Sequence, residues 1–312
     1  MTKNIFKVGD NLELLQSMED ESIDGIYLDP PFNTGRDFGD FLDKFESMSY
    51  FRDKFLRPRL QECHRILKNT GNIIVHVDPT ISHHVRIILD ELFGEKKFVN
   101  EIAWVTGGNA KNKKKMNRWH DTIIVYKKSN KSKFNPIYLP YGAEYEKKNN
   151  VKICSIRNEK YVTTAAHNSQ PDVNPRMNLR YEWMGNKRQW YLSKEKMQKM
   201  HDDNRLEYSE KTNTPRIKRY LKEMDGVPIR DVWSDIKNMQ AKEKLDYATQ
   251  KPVKLLQRIV KMFSDEGDTL LDPFAGSGTL GRACIDLGRN YVLFDISEKA
   301  KNKFYESLDK QT

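Results

Sequence analysis

Hydrophobic positions along the chain fall into short unbroken runs separated by stretches with helical spacing. Ile5-Phe6-Lys7-Val8 predicts a short strand stopped by Gly9-Asp10, and Leu12, Leu14, Leu15 and Met18 predict a short helix. Ile23-Asp24-Gly25-Ile26-Tyr27-Leu28 predicts the next strand, which runs straight into Asp29-Pro30-Pro31-Phe32. Residues 33 to 49 are polar with interspersed Phe38, Phe41 and Phe45, a long connection of the kind that often carries function. Leu56, Leu60, Ile66 and Leu67 give residues 51–67 a helical period, ended by Asn69-Thr70-Gly71. Asn72 to Val77 predicts a buried strand, Val85 to Phe93 a helix ended by Gly94, and residues 98–105 and 122–126 a pair of strands.

From about 135 to 235 the alternation weakens, aromatic residues become frequent, and Asn and Pro are scattered, which predicts a separate inserted module. Regular patterning returns with Val253, Leu255, Leu256, Ile259, Val260 and Met262, one face of a helix from Pro252 to Phe263. Thr269-Leu270-Leu271 predicts a strand leading into Asp272-Pro273-Phe274-Ala275-Gly276-Ser277-Gly278-Thr279. A helix through Leu287 and a last strand, Tyr291 to Phe294 ending at Asp295, follow. The Lys/Glu/Asp-rich stretch beyond predicts a solvated helix end, and no internal repeat is visible. Strands alternating with helices at both ends predict an α/β protein built on a doubly wound sheet. The predicted divisions are 1–134, 135–235 and 236–312.

Composition narrows the class. A hydrophobic fraction of 38% over 312 residues supports a sizeable core, and no apolar run is long enough for a membrane span. The first residues lack the apolar core of a signal peptide. A formal net charge of +10 favours a polyanionic partner, most simply nucleic acid. Cys63, Cys154 and Cys284 are far apart and odd in number, which argues for a reducing compartment and against a disulfide frame. The seven histidines have no metal-ligand spacing, His83-His84 included, so surface or loop positions are expected for them and no metal site is supported.

Two motifs carry chemistry. In Asp29-Pro30-Pro31-Phe32 an acidic residue, two rigid prolines and an aromatic ring sit where a buried strand ends, the edge at which open α/β sheets bind ligands. The Asp29 carboxylate and the Pro30 carbonyl can accept the protons of an aromatic amino group, and Phe32 can stack on the base. Gly276-Ser277-Gly278-Thr279-Leu280-Gly281 matches a dinucleotide fingerprint, with Asp295 at the end of the following strand. The carboxylate of Asp272 just before the loop would repel a pyrophosphate. S-adenosylmethionine (SAM) carries no phosphate but a sulfonium and an ammonium. The glycines would admit its methionyl portion, Asp272 would face its positive charge, and Asp295 could accept from both ribose hydroxyls.

With these two motifs in this order, the sequence resembles the DNA amino-methyltransferases of the permuted β class, related to the modification subunits of type III restriction-modification systems. The resemblance places the catalytic D-P-P-[YF] motif first, then target recognition, then the SAM loop. Asp29 to Phe32, followed by Asn33-Thr34-Gly35, fits the first, and Asp272, Pro273, Phe274, Ala275, Gly276, Ser277, Gly278 and Thr279 fit the last. Thr249, Gln250, Lys251 and Pro252 resemble the T-Q-K-P segment that packs over the cofactor, and Asp10 resembles the aspartate that holds its adenine amino group. Phe32 stands for the commoner tyrosine, and Ala248 for the usual proline. The resemblance implies a Rossmann-like methyltransferase sheet, mixed through an antiparallel hairpin strand. It makes 1–134 the catalytic half, 135–235 the target-recognition module and 236–312 the SAM-binding half. It implies a bacterial or phage-encoded protein of the cytoplasm, associated with DNA, using SAM to methylate adenine N6 at a specific site in double-stranded DNA.

The target atom lies inside the duplex, so the base must be extruded, with Phe32 as its stacking platform. Asp29 and the Pro30 carbonyl would stabilise charge on the attacking nitrogen. Cys63 lies inside a predicted helix and reads as a core thiol, not the nucleophile of cytosine-C5 chemistry. Lys111, Lys113, Lys114, Lys115 and Arg118 form the densest basic run and read as a phosphate-contacting loop. Arg176, Lys187 and Arg188 lie in the inserted module, where Arg, Asn and Gln side chains can read base edges, while Tyr181, Trp183 and Trp190 can equally be the module's core. Cytosine-N4 methylation, RNA as substrate and a catalytically silent DNA-binding subunit stay open as alternatives, and a nicotinamide dehydrogenase fits poorly. A homodimer and a restriction endonuclease partner are left undecided; no membrane association is expected.

Overall fold

The strand Ile23–Leu28 is buried at all six positions, as a strand in the middle of a sheet with both faces covered must be. In the computed structural model, which describes residues 3–33, 35–37, 42–107, 116–170, 173, 175–239 and 250–309, it lies at the centre of an eight-stranded sheet. The strands are β1 (Ile5–Val8), β2 (Ile23–Leu28), β3 (Leu67–Val77), β4 (Phe98–Val105), β5 (His120–Lys127), β6 (Val232–Trp233), β7 (Thr269–Asp272) and β8 (Asn290–Asp295). Their order is β1-β8-β7-β2-β3-β5-β4-β6. The run from β1 to β3 is parallel, β5 is antiparallel to both β3 and β4, and β6 is parallel to β4. The expected doubly wound, mixed sheet is therefore present, with its strand order reversing about β2.

The helices that cover it follow from the apolar stripes. α1 (Asn11–Gln16) is capped by Asp10, whose carboxylate accepts from the Leu12 amide at 2.7 Å. α2 (Arg57–Ile66) buries Arg59, Leu60, Cys63 and Ile66. It is entered through a wider π-helical turn at Phe51–Leu56, where Pro58 has no N–H to donate to the preceding turn. That turn directs Phe51 into the core and Phe55 toward the sheet's carboxyl edge. α3 (Ser82–Phe93), α4 (Val253–Phe263) and α5 (Thr279–Asp286) complete the cover.

The C-terminal helix α6 (Glu298–Asp309) departs from the expected solvated end. Its Phe304 is fully buried and fills the space that a side chain at Gly278 or Gly281 would need. The charged residues around it supply the outer face of an amphipathic helix, and Phe304, with Ala300 and Ser307, carries the packing, while Tyr305 stays exposed. His76, expected with the other histidines at the surface or in a loop, is fully buried in β3. A neutral imidazole bonded at both nitrogens can occupy a core position.

The chain divides into two compact units, Met1–Ile137 with Arg230–Thr312, and Tyr138–Ile229. In the second unit, strands Leu206–Tyr208, Pro215–Tyr220, Lys160–Ala165 and Lys152–Ile153 form an antiparallel sheet, and Arg180–Trp183 pairs with Asn186–Gln189 as a hairpin. Trp183, Trp190, Met197, Leu206 and Ala166 make its core. Both tryptophans are packing residues there. Among the described residues, no helix is long and apolar enough to cross a membrane, and no group of His, Cys, Asp or Glu could hold a metal ion.

Candidate active site

Each of the six neighbouring strands β1, β8, β7, β2, β3 and β5 delivers an aspartate to one edge of the sheet. In spatial order these are Asp10, Asp295, Asp272, Asp29, Asp78 and Asp121. The first five lie at or just past the carboxyl ends of parallel strands. Asp121 reaches the same edge because β5 runs antiparallel and begins there. All but Asp78 line a cleft of about 610 Å³. So dense an acidic row needs cations, either from the protein or from a ligand.

At the β1 end the protein supplies one. Arg59, 7% exposed, donates to both oxygens of Asp10 at 3.2 Å and to Asn11 Oδ1 at 2.5 Å, and its guanidinium lies 4.0 Å over the Phe55 ring. Burial depresses the Arg59 guanidinium, with Asp10 opposing. Asp10 is thus both helix cap and ion-pair partner while still facing the cleft. Asp295 accepts from the Gly276 amide at 2.8 Å and the Ser297 amide at 3.0 Å, which fixes its orientation beside the loop.

The glycine loop divides its work. Gly276 (φ +50°) lines the cleft, whereas a Cβ on Gly278 (φ +72°) would come within 2.2 Å of Phe304. Gly278 is therefore needed for packing against α6. The Pro273 carbonyl accepts from Asn11 at 2.6 Å, Ala275 N–H donates to the Phe294 carbonyl, and Ser277 and Thr279 are buried within the loop. Phe274 lines the cleft with its ring 6.0 Å from Phe55.

Asp272 is only 3% exposed and accepts from the Phe274 amide at 2.9 Å. Burial pushes its carboxyl well above the ordinary value; that amide opposes the rise, and the Asp29 and Asp295 charges add to it. Among the described residues no side-chain cation pairs with it directly. A cationic ligand suits this position, and a phosphate does not.

Asp29 has a protein cation. Its Oδ2 accepts from Lys251 Nζ in a short ion pair, while its buried Oδ1 has no hydrogen-bond partner among the described residues. Pro30, Pro31 and Phe32 line the cleft beside it. The turn is held from behind: Asn33, at φ +55°, donates its amide to Asp43 at 2.7 Å and accepts from the Phe45 amide at 3.1 Å. Gln250 is buried and lines the cleft, and Pro252 caps α4.

Beneath the cleft runs a buried chain. His76 Nε2 faces Asp121 Oδ2 at 3.3 Å and His76 Nδ1 faces the Tyr27 hydroxyl at 2.9 Å. His76 lowers the Asp121 carboxyl against the desolvation that would raise it, so Asp121 accepts, Nε2 carries the proton and Tyr27 donates to Nδ1. Burial and the Lys251 charge hold His76 neutral. Arg118 lines the cleft and pairs with Asp78 and, at 3.9 Å, with Asp121. Its charge is engaged at the cleft.

Lys111, Lys113, Lys114 and Lys115 fall outside the described residues, as do Thr249, Phe38 and Phe41. Arg176 and Lys187 are exposed in the second unit, Arg176 lining a small cavity with Gln189 and Trp190. Arg188, also exposed, donates to His167 at 3.1 Å. Sequence reasoning missed Arg59, His76 and Asp121 and assigned Lys251 only to the cofactor. A signal existed for two of them: Arg59 interrupts the apolar face of Leu56, Leu60 and Cys63, and His76 interrupts the run Ile73-Ile74-Val75.

The sequence pattern of the family N6_N4_Mtase, described as DNA methylase, matches residues 23–306. The chain is 26% identical to the type III restriction-modification enzyme StyLTI Mod subunit of Salmonella typhimurium (strain LT2), over 96% of this chain and 53% of that one. It is 30% identical to the type II methyltransferase M.EcaI of Enterobacter cloacae, over 87% of this chain and 61% of that one. It therefore spans little more than half the length of these curated relatives. The fold is shared with TTHA0409 of Thermus thermophilus, solved in complex with S-adenosyl-L-methionine, at a TM-score of 0.54 and 18% identity, over 98% and 93% of the two chains. A family match across most of the chain, on a sheet whose carboxyl edge gathers both signature motifs, makes this protein a member of the DNA methylase family.

Proposed function

We propose that the protein transfers a methyl group from SAM to the exocyclic N6 of adenine, at a specific sequence in double-stranded DNA. The observation that carries this reading is the pairing in one cleft of an oriented carboxylate oxygen on Asp29 with a buried carboxylate, Asp272; among the described residues the first has no hydrogen-bond partner and the second no side-chain cation. The first suits an amino group, and the second suits the methyl donor. When bound, SAM supplies an activated methyl group on a sulfonium with a good leaving group. Asp272 would face its positive charge, Asp295 the ribose hydroxyls, and Asp10 with Phe274 its adenine. Phe32 would stack on the extruded target base while Asp29 and the Pro30 carbonyl accept its amino protons, stabilising charge as the nitrogen attacks. The Asp-Pro-Pro form of the motif favours adenine over cytosine. The unit Tyr138–Ile229 would serve as the target-recognition module, and the cytoplasm is the compartment that fits such a partner.

The test is to incubate the protein with duplex DNA and methyl-labelled SAM, digest the product and identify the labelled nucleoside by mass spectrometry. N6-methyldeoxyadenosine is the expected product. Label in N4-methyldeoxycytidine would reassign the base while keeping the chemistry, and label in neither would overturn the reading.

A further inference from the structure

The Lys251–Asp29 pair joins residues 222 positions apart at the centre of the cleft. Both side chains are largely buried, 13% exposed for Lys251 and 16% for Asp29. Burying an ammonium is costly, and a packing role alone would be served by an apolar residue. The ammonium occupies one oxygen of Asp29 and leaves the other buried and, among the described residues, unbonded. It also lies 5.5 Å from the centre of the Phe32 ring, so one cation borders both the amine acceptor and the stacking platform. Behind it, the Lys251 carbonyl accepts from Thr279 Oγ1 at 3.4 Å, the residue that opens the helix after the glycine loop. The charged or titratable groups whose fields it shares are Asp29, His76, Asp121 and Asp272.

Resting on the function proposed above, we infer that Lys251 is a positioning residue for methyl transfer, fixing Asp29 through Oδ2 and presenting Oδ1 to one amino proton of the target base. The ammonium offsets the repulsion between Asp29 and the other carboxylates of the edge, so Asp29 stays an acceptor. In the transfer the amine nitrogen bonds to the methyl carbon as the methyl–sulfur bond breaks, and the electron pair leaves with sulfur. One amine proton passes to Asp29 or to water, and Lys251 keeps all its protons.

Single-turnover transfer into duplex DNA, measured with saturating SAM alongside SAM and DNA binding, tests this with two variants. Lys251→Gln keeps a hydrogen-bond donor and loses the charge; Lys251→Arg keeps the charge. The Gln variant should be slower by about a hundredfold near neutral pH, with SAM and DNA dissociation constants moved by less than about threefold. The Arg variant, which keeps the charge, should recover part of the rate. A Gln variant as fast as the parent, an Arg variant no faster than Gln, or a loss that falls on SAM affinity would overturn the inference; the last outcome would make Lys251 a cofactor ligand. A parent protein that transfers no methyl group fails the functional reading itself, and is recognised before any variant is compared.

Discussion

At residue 272 a carboxylate is buried at a cost to the ligand-free protein. Its folded-state value lies above that of the unfolded chain. Its contribution to stability is therefore present below the ordinary carboxylate range and lost as pH rises through the raised value. Asp272→Asn should accordingly melt a few degrees higher than the parent at pH 8, with the difference vanishing near pH 4, as calorimetry without ligand would record. The same variant should bind SAM about tenfold or more weakly. In the parent, SAM affinity should rise with pH and binding should release protons, read as a buffer-dependent heat by titration calorimetry. Stability sacrificed at the position proposed to meet the ligand is the usual trade at functional sites.

At the scale of elements, the glycine loop and α6 depend on one another. Gly278→Ala meets Phe304 within 2.2 Å and forces a side chain into a left-handed conformation. It should cost roughly 2–4 kcal/mol. Phe304→Ala should cost about 3–5 kcal/mol by leaving a cavity under the loop, and both losses can be read from urea denaturation. This dependence was not legible beforehand, because the charged segment of α6 carries few apolar residues and nothing in it distinguishes buried Phe304 from exposed Tyr305. What was legible is local. Strand–loop–helix boundaries, the Asp29 turn and the Asp272 loop are each written in fewer than ten consecutive residues, so periodicity and turn chemistry suffice. Arg59 on Asp10, Lys251 on Asp29 and His76 on Asp121 join distant segments. Without the sheet order, no spacing in the chain reveals which cation meets which carboxylate.

Over the whole molecule the charge is divided. The net charge is +10, yet the sheet edge gathers six aspartates, matched in part by Arg59, Lys251 and Arg118. The basic excess lies elsewhere, and the run Lys111 to Lys115 is its densest stretch in sequence. Lys114→Ala combined with Lys115→Ala should weaken duplex binding and reduce the slope of log affinity against log salt by about two, measured by fluorescence titration. An unchanged slope would remove these lysines from the interface. Asp29→Ala leaves the basic residues unchanged and should preserve DNA binding while removing the carboxylate. The most direct measurement is therefore single-turnover transfer of labelled methyl from SAM into duplex DNA by the parent and by Asp29→Ala, with DNA binding measured alongside. Transfer to adenine by the parent, and a fall of about a thousandfold in the variant at unchanged DNA affinity, is the predicted result; equal transfer by the two proteins would contradict it.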